Sequence, residues 1–110
     1  MYYVKYIQFI VFDWSSILGF QWDEGNDFKS TIKYYVECGQ AESVFVAADL
    51  RILEDTKHSS REQRYHALGT SSLKRLLSVT FTIRSNHIRV ISARPINQRE
   101  RKIYGYQKKR

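Results

Sequence analysis

The residues best suited to chemistry are arginines in the last third of the chain. Five of them are spread over two strand-like runs and the start of a basic segment: Arg84, Arg89, Arg94, Arg99 and Arg101. A guanidinium group stays charged at any working pH and can grip a phosphate through two parallel hydrogen bonds. It can also stabilise a phosphorane-like transition state without acting as a base. The alternative is a set of solvated side chains, with Arg101 or Lys102 paired to Glu100.

A histidine in the stretch DTKHSSREQRY, His58, is the main candidate for proton transfer. An unperturbed imidazole titrates at about 6.5, so it can serve as acid or base near neutrality. The alternative is a loop histidine bonded to nearby backbone or acidic side chains. Glu62 and Arg64 are two residues apart, which puts both on one face of a strand, and a salt bridge is the simpler interpretation. His66, inside a strand, and His87, in a turn, are interpreted as structural.

A lysine beside two phenol rings, at Lys33, Tyr34 and Tyr35, is a further candidate. Such a group can bind RNA by charge and by base stacking, although the end of an amphipathic helix has the same pattern. The sequence contains no P-loop, no glycine-rich dinucleotide motif and no nucleophile elbow, which disfavours nucleotide hydrolysis, a Rossmann dehydrogenase and an α/β-hydrolase.

Positive charge is concentrated at the C-terminal end. The chain has a formal net charge of +7. Residues 94–110 contribute seven basic residues and one acidic residue, seven minus one or +6: Arg94, Arg99, Arg101, Lys102, Lys108, Lys109 and Arg110 against Glu100. This asymmetry indicates a polyanionic partner such as nucleic acid.

The composition also limits cofactors and location. A single cysteine, Cys38, excludes an internal disulfide and favours a reducing compartment. One cysteine and three scattered histidines give no zinc spacing, so we expect no metal and no cofactor. The apolar stretch MYYVKYIQFIVF is interrupted by Lys5 and is shorter than the roughly 20 residues of a membrane span. These features predict a cytoplasmic protein with no membrane association.

Helical periodicity appears in the first half of the chain. Two apolar stripes have helical spacing, the first at Phe28, Ile32, Tyr35 and Val36 and the second at Ala41, Val44, Phe45 and Ala48. Near the C-terminus, Asn97 and Glu100 have the spacing of a capping box, and Gly105 is placed to end that helix.

Strand patterns fill the region between these helices. The candidates are LRILED, RYHALGT, LKRLLSVTFTIR and IRVISAR. In the third, Leu77, Val79, Phe81 and Ile83 face one way, and Ser78, Thr80, Thr82 and Arg84 the other. The following turn has two or three residues; a two-residue turn would pair Arg84 with His87 and place Arg89 opposite Thr82. The expected fold is α+β, with two N-terminal helices, an antiparallel β-sheet meander and a C-terminal basic helix.

Three blocks of the chain, taken in order, resemble the BrnT family. Members of this family are ribonuclease toxins of bacterial type II toxin–antitoxin pairs, and these toxins have a RelE-like fold. They are FQWDEGNDFKSTIKYYVECGQAESVF, DTKHSSREQRYHALGT and RLLSVTFTIRSNHIRVISARPINQRERKIY. The motifs W-D-E, A-x-x-V-F, H-S-x-x-E-x-R and R-x-I-S-A-R…R-E-R-x-x-Y occur with compatible spacing. Family members usually begin close to Phe20. The resemblance therefore implies an N-terminal extension at 1–17, a single toxin-like domain at 18–107 and a basic tail at 108–110.

The resemblance and the residue chemistry together suggest a set of site residues. For catalysis they are His58, Glu62, Lys33, Arg89 and Arg94. For RNA binding they are Arg64, Arg84, Arg99, Arg101 and Tyr34. The chain departs from the family at Tyr34, where many members have histidine, and at Ser30, where many have asparagine. A phenol titrates at roughly 10, so Tyr34 would be a poorer proton-transfer group than histidine near pH 7.

These features predict a metal-independent endoribonuclease toxin that blocks translation. The alternative is a catalytically weakened or inactive member that acts as an antitoxin- or RNA-binding module; a purely structural interaction protein would leave the clustered arginines unexplained. The resemblance implies a cognate DNA-binding antitoxin encoded by an adjacent gene, an RNA substrate and a hetero-oligomer with the antitoxin.

Overall fold

The described residues form one five-stranded sheet with short helical segments. The computed structural model describes residues 13–22, 36–58 and 61–102, with only the backbone of residue 58. The strands are β1 (Gly19–Trp22), β2 (Arg51–Glu54), β3 (Tyr65–Thr70), β4 (Leu76–Arg84) and β5 (His87–Pro95), in the order β1-β5-β4-β3-β2. Helix α1 is Cys38–Val44, residues 98–102 are helical (α2), and two 3-10 turns lie at Trp14–Ser16 and Thr56–His58.

The sheet is mixed, so the prediction of an antiparallel sheet alone is wrong, although its four predicted strands do form a meander. Strands β2 to β5 pair antiparallel with their neighbours. Strand β1 runs parallel to β5, from Gly19 opposite His87 to Trp22 opposite Val90. The β1 segment, GFQW, is too short to show alternation, and a residue pattern does not encode which way an edge strand runs.

The described residues do not show the two predicted N-terminal helices, only one of them. Among the described residues before β2, only α1 is an α-helix, and β1 occupies part of the segment that precedes it. The first predicted stripe falls on residues 28–36, which apart from Val36 lie outside the described residues. The second stripe forms α1, which buries Ala41 and Val44 but ends before Ala48.

The C-terminal helix begins as the capping box predicts. The Asn97 Oδ1 accepts a hydrogen bond from the Glu100 N–H at 2.8 Å, and the Glu100 Oε1 accepts one from the Asn97 N–H at 3.0 Å. Two donors at the helix start are thereby satisfied reciprocally. The predicted helix end at Gly105 and the tail at 108–110 lie outside the described residues.

The β4–β5 hairpin is confirmed, with a two-residue turn. Ser85 and Asn86 have φ values of 52° and 60°, the left-handed conformation that such turns require. The register places Arg84 opposite His87 and Arg89 opposite Thr82.

A β-bulge in β5 changes which of its side chains share a face. Thr80 pairs with Ser92 and Phe81 with Val90, so Ile91 is an extra residue on β5. In a regular strand, Arg89 and Arg94 would face opposite ways because they are five residues apart. The extra residue brings both to the polar face, opposite Thr82 and Ser78.

One face of the sheet packs against α1 and forms the main core. Phe81 is fully buried, and its ring lies 5.0 Å from the ring of Phe45 at an interplanar angle of 83°. Phe45 also meets the rings of Phe20 at 5.4 Å and Trp14 at 6.1 Å. Trp14 and Ile17, within the predicted N-terminal extension, thus pack on the domain core.

The other face is polar, apart from a small apolar cluster near the start of β4 and the end of β5. Leu68 and Ile96 are buried there with Leu53 and Leu76 against them. This cluster holds the start of α2 against the sheet, because Ile96 lies two residues before the helix. In the portion of the chain that is described, no helix is long and apolar enough to cross a membrane.

Candidate active-site cavity

A cavity of about 650 Å³ opens on the polar face of the sheet. Its walls come from β2 and the 3-10 turn after it, the start of β3, the middle of β4, the bulged part of β5 and the start of α2. Charged and polar side chains dominate the lining: Glu54, Asp55, Thr56, Lys57, Arg64, His66, Thr80, Ser92, Arg94, Asn97, Arg99 and Glu100 with the apolar Leu53 and Ile91. The volume is within the range of ligand-binding sites.

A chain of hydrogen bonds crosses the cavity wall from β2 to β4. The Asp55 Oδ2 lies 3.1 Å from the His66 Nε2, and the His66 Nδ1 lies 2.9 Å from the Thr80 Oγ1. The order follows from the sheet, since His66 on β3 is directly opposite Thr80 on β4 and Asp55 follows β2 immediately. Asp55 is buried, whereas His66 is 23% exposed. The imidazole is therefore held from both sides and still borders the cavity.

A second charged pair, Arg94 with Glu100, lies beside this chain. Arg94 donates from Nη1 to the Glu100 Oε1 at 2.7 Å and from Nη2 to Oε2 at 2.9 Å. Burial raises the pKa of Glu100, but the hydrogen bonds from Arg94 and the Asn97 N–H, with the charges of Arg94 and His66, outweigh it and lower that pKa. Glu100 is thus ionised at neutral pH and fixes the guanidinium of Arg94 at the cavity wall.

The predicted site residues fall into two groups on the structure. Arg64, Arg94 and Arg99 line the cavity, and Arg99 is exposed. Arg84 and Glu62 lie outside the cavity and form a salt bridge of 3.0 Å. This pair is different from the expected pairing of Glu62 with Arg64.

Among the other predicted residues, none whose side chain is described lines the cavity. Arg89 is half-buried on β5, between Thr82 of β4 and Gln21 of β1. Arg101 is exposed on α2, one residue past Glu100. The backbone of His58 ends the 3-10 turn whose other two residues, Thr56 and Lys57, do line the cavity. Lys33, Tyr34 and Ser30 lie outside the described residues.

Sequence reasoning missed the functional potential of Asp55, His66 and Thr80. The position of His66 inside a strand indicates a structural residue, and no sequence motif singles out Asp55 or Thr80. The alternation in RYHALGT could have indicated the position of His66. It places His66 on the same sheet face as Leu68 and on the other face from the buried Ala67. Within the described ranges, no three histidine, cysteine or acidic residues are grouped so that they would hold a metal ion.

The fold and cavity define a small single-sheet domain with a cationic cleft, and comparison with known proteins gives its family. A family model described as "Ribonuclease toxin, BrnT, of type II toxin-antitoxin system" matches residues 22–100. The chain therefore belongs to the BrnT family of ribonuclease toxins, and membership of a type II system implies a protein antitoxin as partner.

A solved structure shares the fold. The 1.1 Å crystal structure of the Brucella abortus ribonuclease toxin BrnT aligns with a TM-score of 0.56 at 21% sequence identity, covering 74% of this chain and 99% of that one. No curated protein matches the chain.

Proposed function

We propose that this chain cleaves RNA in the cavity on the polar face, without a metal ion, and that this cleavage blocks translation. The observation that carries the proposal is the convergence of four cationic side chains and an imidazole on one open cavity. Membership of a family of ribonuclease toxins supports RNA as the substrate.

The cavity has a net positive charge despite its carboxylates. Among the described lining residues, and leaving His66 aside, four cations face three acids, four minus three or +1: Lys57, Arg64, Arg94 and Arg99 against Glu54, Asp55 and Glu100. Because Arg94 is paired with Glu100, the exposed Lys57 and Arg99 are best placed to meet an incoming phosphate. Within the described part of the chain, neither has a side-chain partner that it would lose on binding a phosphodiester.

The reaction is an internal displacement at phosphorus. The RNA 2′-oxygen forms a bond to the adjacent phosphorus while the bond to the 5′-oxygen breaks, giving a 2′,3′-cyclic phosphate and a 5′-hydroxyl. Lys57, Arg64 and Arg99 hold the phosphate and offset the charge that grows on its oxygens. Arg84 and Arg89, on the same face nearer the hairpin turn, bind the RNA backbone beyond the cleaved bond.

The first test removes the two exposed cavity cations together. In EDTA, we expect the wild-type protein to cleave labelled RNA and leave cyclic phosphate ends. The Lys57→Ala/Arg99→Ala variant should be slower by about 10²–10³-fold, the typical cost of losing transition-state charge stabilisation. Since both side chains are exposed, this variant should keep the wild-type melting temperature.

The matched control is Lys74→Ala/Lys102→Ala, which removes the same charge from exposed positions outside the cavity. It should cleave at close to the wild-type rate, although its RNA binding should weaken slightly. Equal losses in the two double variants would show that general charge matters and the cavity does not. Salt-sensitive RNA binding by the wild type without any cleavage would support the non-catalytic alternative.

The second test addresses translation. Expression from an inducible promoter should stop growth and the incorporation of labelled amino acids within the same interval. The Lys57→Ala/Arg99→Ala variant, expressed to the same level, should not. Continued protein synthesis during wild-type expression would contradict the proposed block.

A further inference from the structure

The described cavity contains one hydrogen-bonded series with the components of a proton relay: a buried carboxylate, an imidazole and a hydroxyl. Asp55 contacts the His66 Nε2 at 3.1 Å, and the His66 Nδ1 contacts the Thr80 Oγ1 at 2.9 Å. Because a carboxylate accepts hydrogen bonds, Asp55 favours the tautomer with the proton on Nε2. The Nδ1 then accepts the Thr80 hydroxyl proton, and an oxygen lone pair of Thr80 remains to meet a proton from a ligand.

Three neighbouring elements fix this series in place. The Asp55 N–H donates to the Arg64 carbonyl at 2.8 Å, which ties the end of β2 to the start of β3. His66 is directly opposite Leu53 of β2 and Thr80 of β4, so its ring sits over the middle of three paired strands. A ring with a hydrogen-bond partner at each nitrogen has little freedom to turn, as a positioned base requires.

We propose that His66 is the proton acceptor for RNA cleavage, that the Thr80 hydroxyl relays the proton, and that Asp55 is the positioning residue of the ring. This inference rests on the proposed function, because it assigns the proton transfer within that reaction. The identity of the proton-transfer groups, predicted from the sequence to be His58, Glu62 or Lys33, is thereby assigned to different residues.

The step balances as follows. As the 2′-oxygen bonds to phosphorus, its proton passes to the Thr80 Oγ1, and the Thr80 proton passes to the His66 Nδ1. The leaving 5′-oxygen takes a proton from water at the cavity mouth. The hydroxide so formed removes the proton from the imidazolium, which restores the neutral ring.

Charged groups on every neighbouring element act on His66. Asp55 and Glu54 are on the β2 side, Glu100 is on α2, and these carboxylates favour the imidazolium. Lys57, Arg64, Arg94 and Arg99 oppose it. The carboxylates thus counter the repulsion between the imidazolium and the cations that hold the phosphate, so proton transfer to His66 and phosphate binding can take place in the same cavity.

The test combines a pH profile with rescue. Wild-type cleavage under saturating RNA should speed up with rising pH, because only a neutral imidazole accepts a proton. His66→Ala should lower the rate by about 10²–10⁴-fold, the usual contribution of a general base, and should lose this dependence on pH. Added imidazole should restore part of the rate in His66→Ala, and Asp55→Asn should lower the rate less than His66→Ala does.

Two further variants separate the relay from a folding defect. Thr80→Val keeps the shape of the side chain but should lose most of the rate, whereas Thr80→Ser should recover it. The matched control is His87→Ala, since His87 lies outside the cavity with its Nδ1 2.8 Å from the Ser85 carbonyl oxygen. This control should keep both the rate and the pH profile of the wild type.

The possible results distinguish the proposed proton relay from the proposed RNA cleavage. An active wild type whose His66→Ala variant keeps the same rate and pH profile would overturn the relay and leave the proposed function standing. A Thr80→Val variant as fast as the wild type would remove Thr80 from the path and overturn the relay as stated. A wild type that cleaves no RNA would overturn the proposed function itself.

Discussion

Glu100 links the start of α2 to the cavity, and replacing it by glutamine should destabilise the fold by a predictable amount. Its carboxylate accepts hydrogen bonds at 2.7 and 2.9 Å from Arg94, 3.0 Å from the Asn97 N–H and 3.3 Å from the Ser78 hydroxyl. Glu100→Gln keeps the side-chain length but removes the charge and one oxygen acceptor. The loss of a charge-assisted hydrogen bond costs about 1.5–3 kcal/mol.

The expected value for Glu100→Gln is at the lower end of that range. The Arg94 side chain is 27% exposed, so water replaces part of the lost interaction. We expect the free energy of unfolding to fall by about 1.5–2 kcal/mol at pH 7, because a partly buried charge-assisted hydrogen bond is lost while the cap is partly kept.

The same carboxylate should make stability depend on pH. The pKa of Glu100 is lowered in the folded protein: burial raises it, but the hydrogen bonds of Arg94 and Asn97 outweigh that effect. Its stabilisation is therefore complete above the unfolded value, about 4.3 for a glutamate. The stabilisation is lost as the pH falls below 4.3 through the lower folded pKa.

The assay is urea unfolding of the wild type, Glu100→Gln and Glu37→Gln at several pH values from neutral to acid. Glu37 precedes α1 and makes no side-chain capping hydrogen bond, so its variant controls for the loss of one negative charge. The wild type and Glu37→Gln should lose stability more steeply than Glu100→Gln in the acid range. Parallel acid losses in all three proteins, or an unchanged stability of Glu100→Gln at pH 7, would refute this account of Glu100.

Three further predictions concern the other face of the sheet. Trp22→Phe should cost about 1 kcal/mol in urea unfolding, since it removes the 2.8 Å hydrogen bond from the indole Nε1 to Glu42; an unchanged midpoint would contradict this. Gly69→Ala should cost about 1–2 kcal/mol in the same assay, because an added Cβ would lie 3.2 Å from a buried side chain of α1. Tyr65 should ionise above the ordinary tyrosine pKa in an absorbance titration, because burial raises its pKa and the charge of Glu54 adds to the effect; Glu54→Gln should bring that value part of the way back.

The strands of the hairpin could be predicted because their alternation is strong. Leu77, Val79 and Phe81 are fully buried, as the two-residue period required. The capping box at Asn97 was equally readable, since it depends on two residue types at a fixed spacing. Both signals are local, and local signals are what a single sequence contains.

The errors in the predicted fold and site come from non-local pairing. Strand β1 becomes a strand only through its contact with β5, far along the chain. The partners of His66 likewise lie on other segments, Asp55 directly after β2 and Thr80 on β4, so a single-segment pattern could not reveal the relay. The pairing of Arg94 with Glu100 depends on how β5 meets α2, and the sequence suggested Arg101 or Lys102 instead.

Because Ile91 is the extra residue of a β-bulge, removing a residue from β5 should disturb the sheet more than replacing Ile91 by another residue. The alternation of apolar and polar residues in IRVISAR shifts by one residue at the bulge, because the apolar positions are 88, 90, 91 and 93. A substitution at Ile91 would alter one wall of the cavity, but a deletion there would turn one half of the strand over relative to the other. Arg89 and Arg94 would then face opposite sides of the sheet. Among natural variants of this protein, changes of residue at position 91 should therefore be common and single-residue deletions within 88–94 rare.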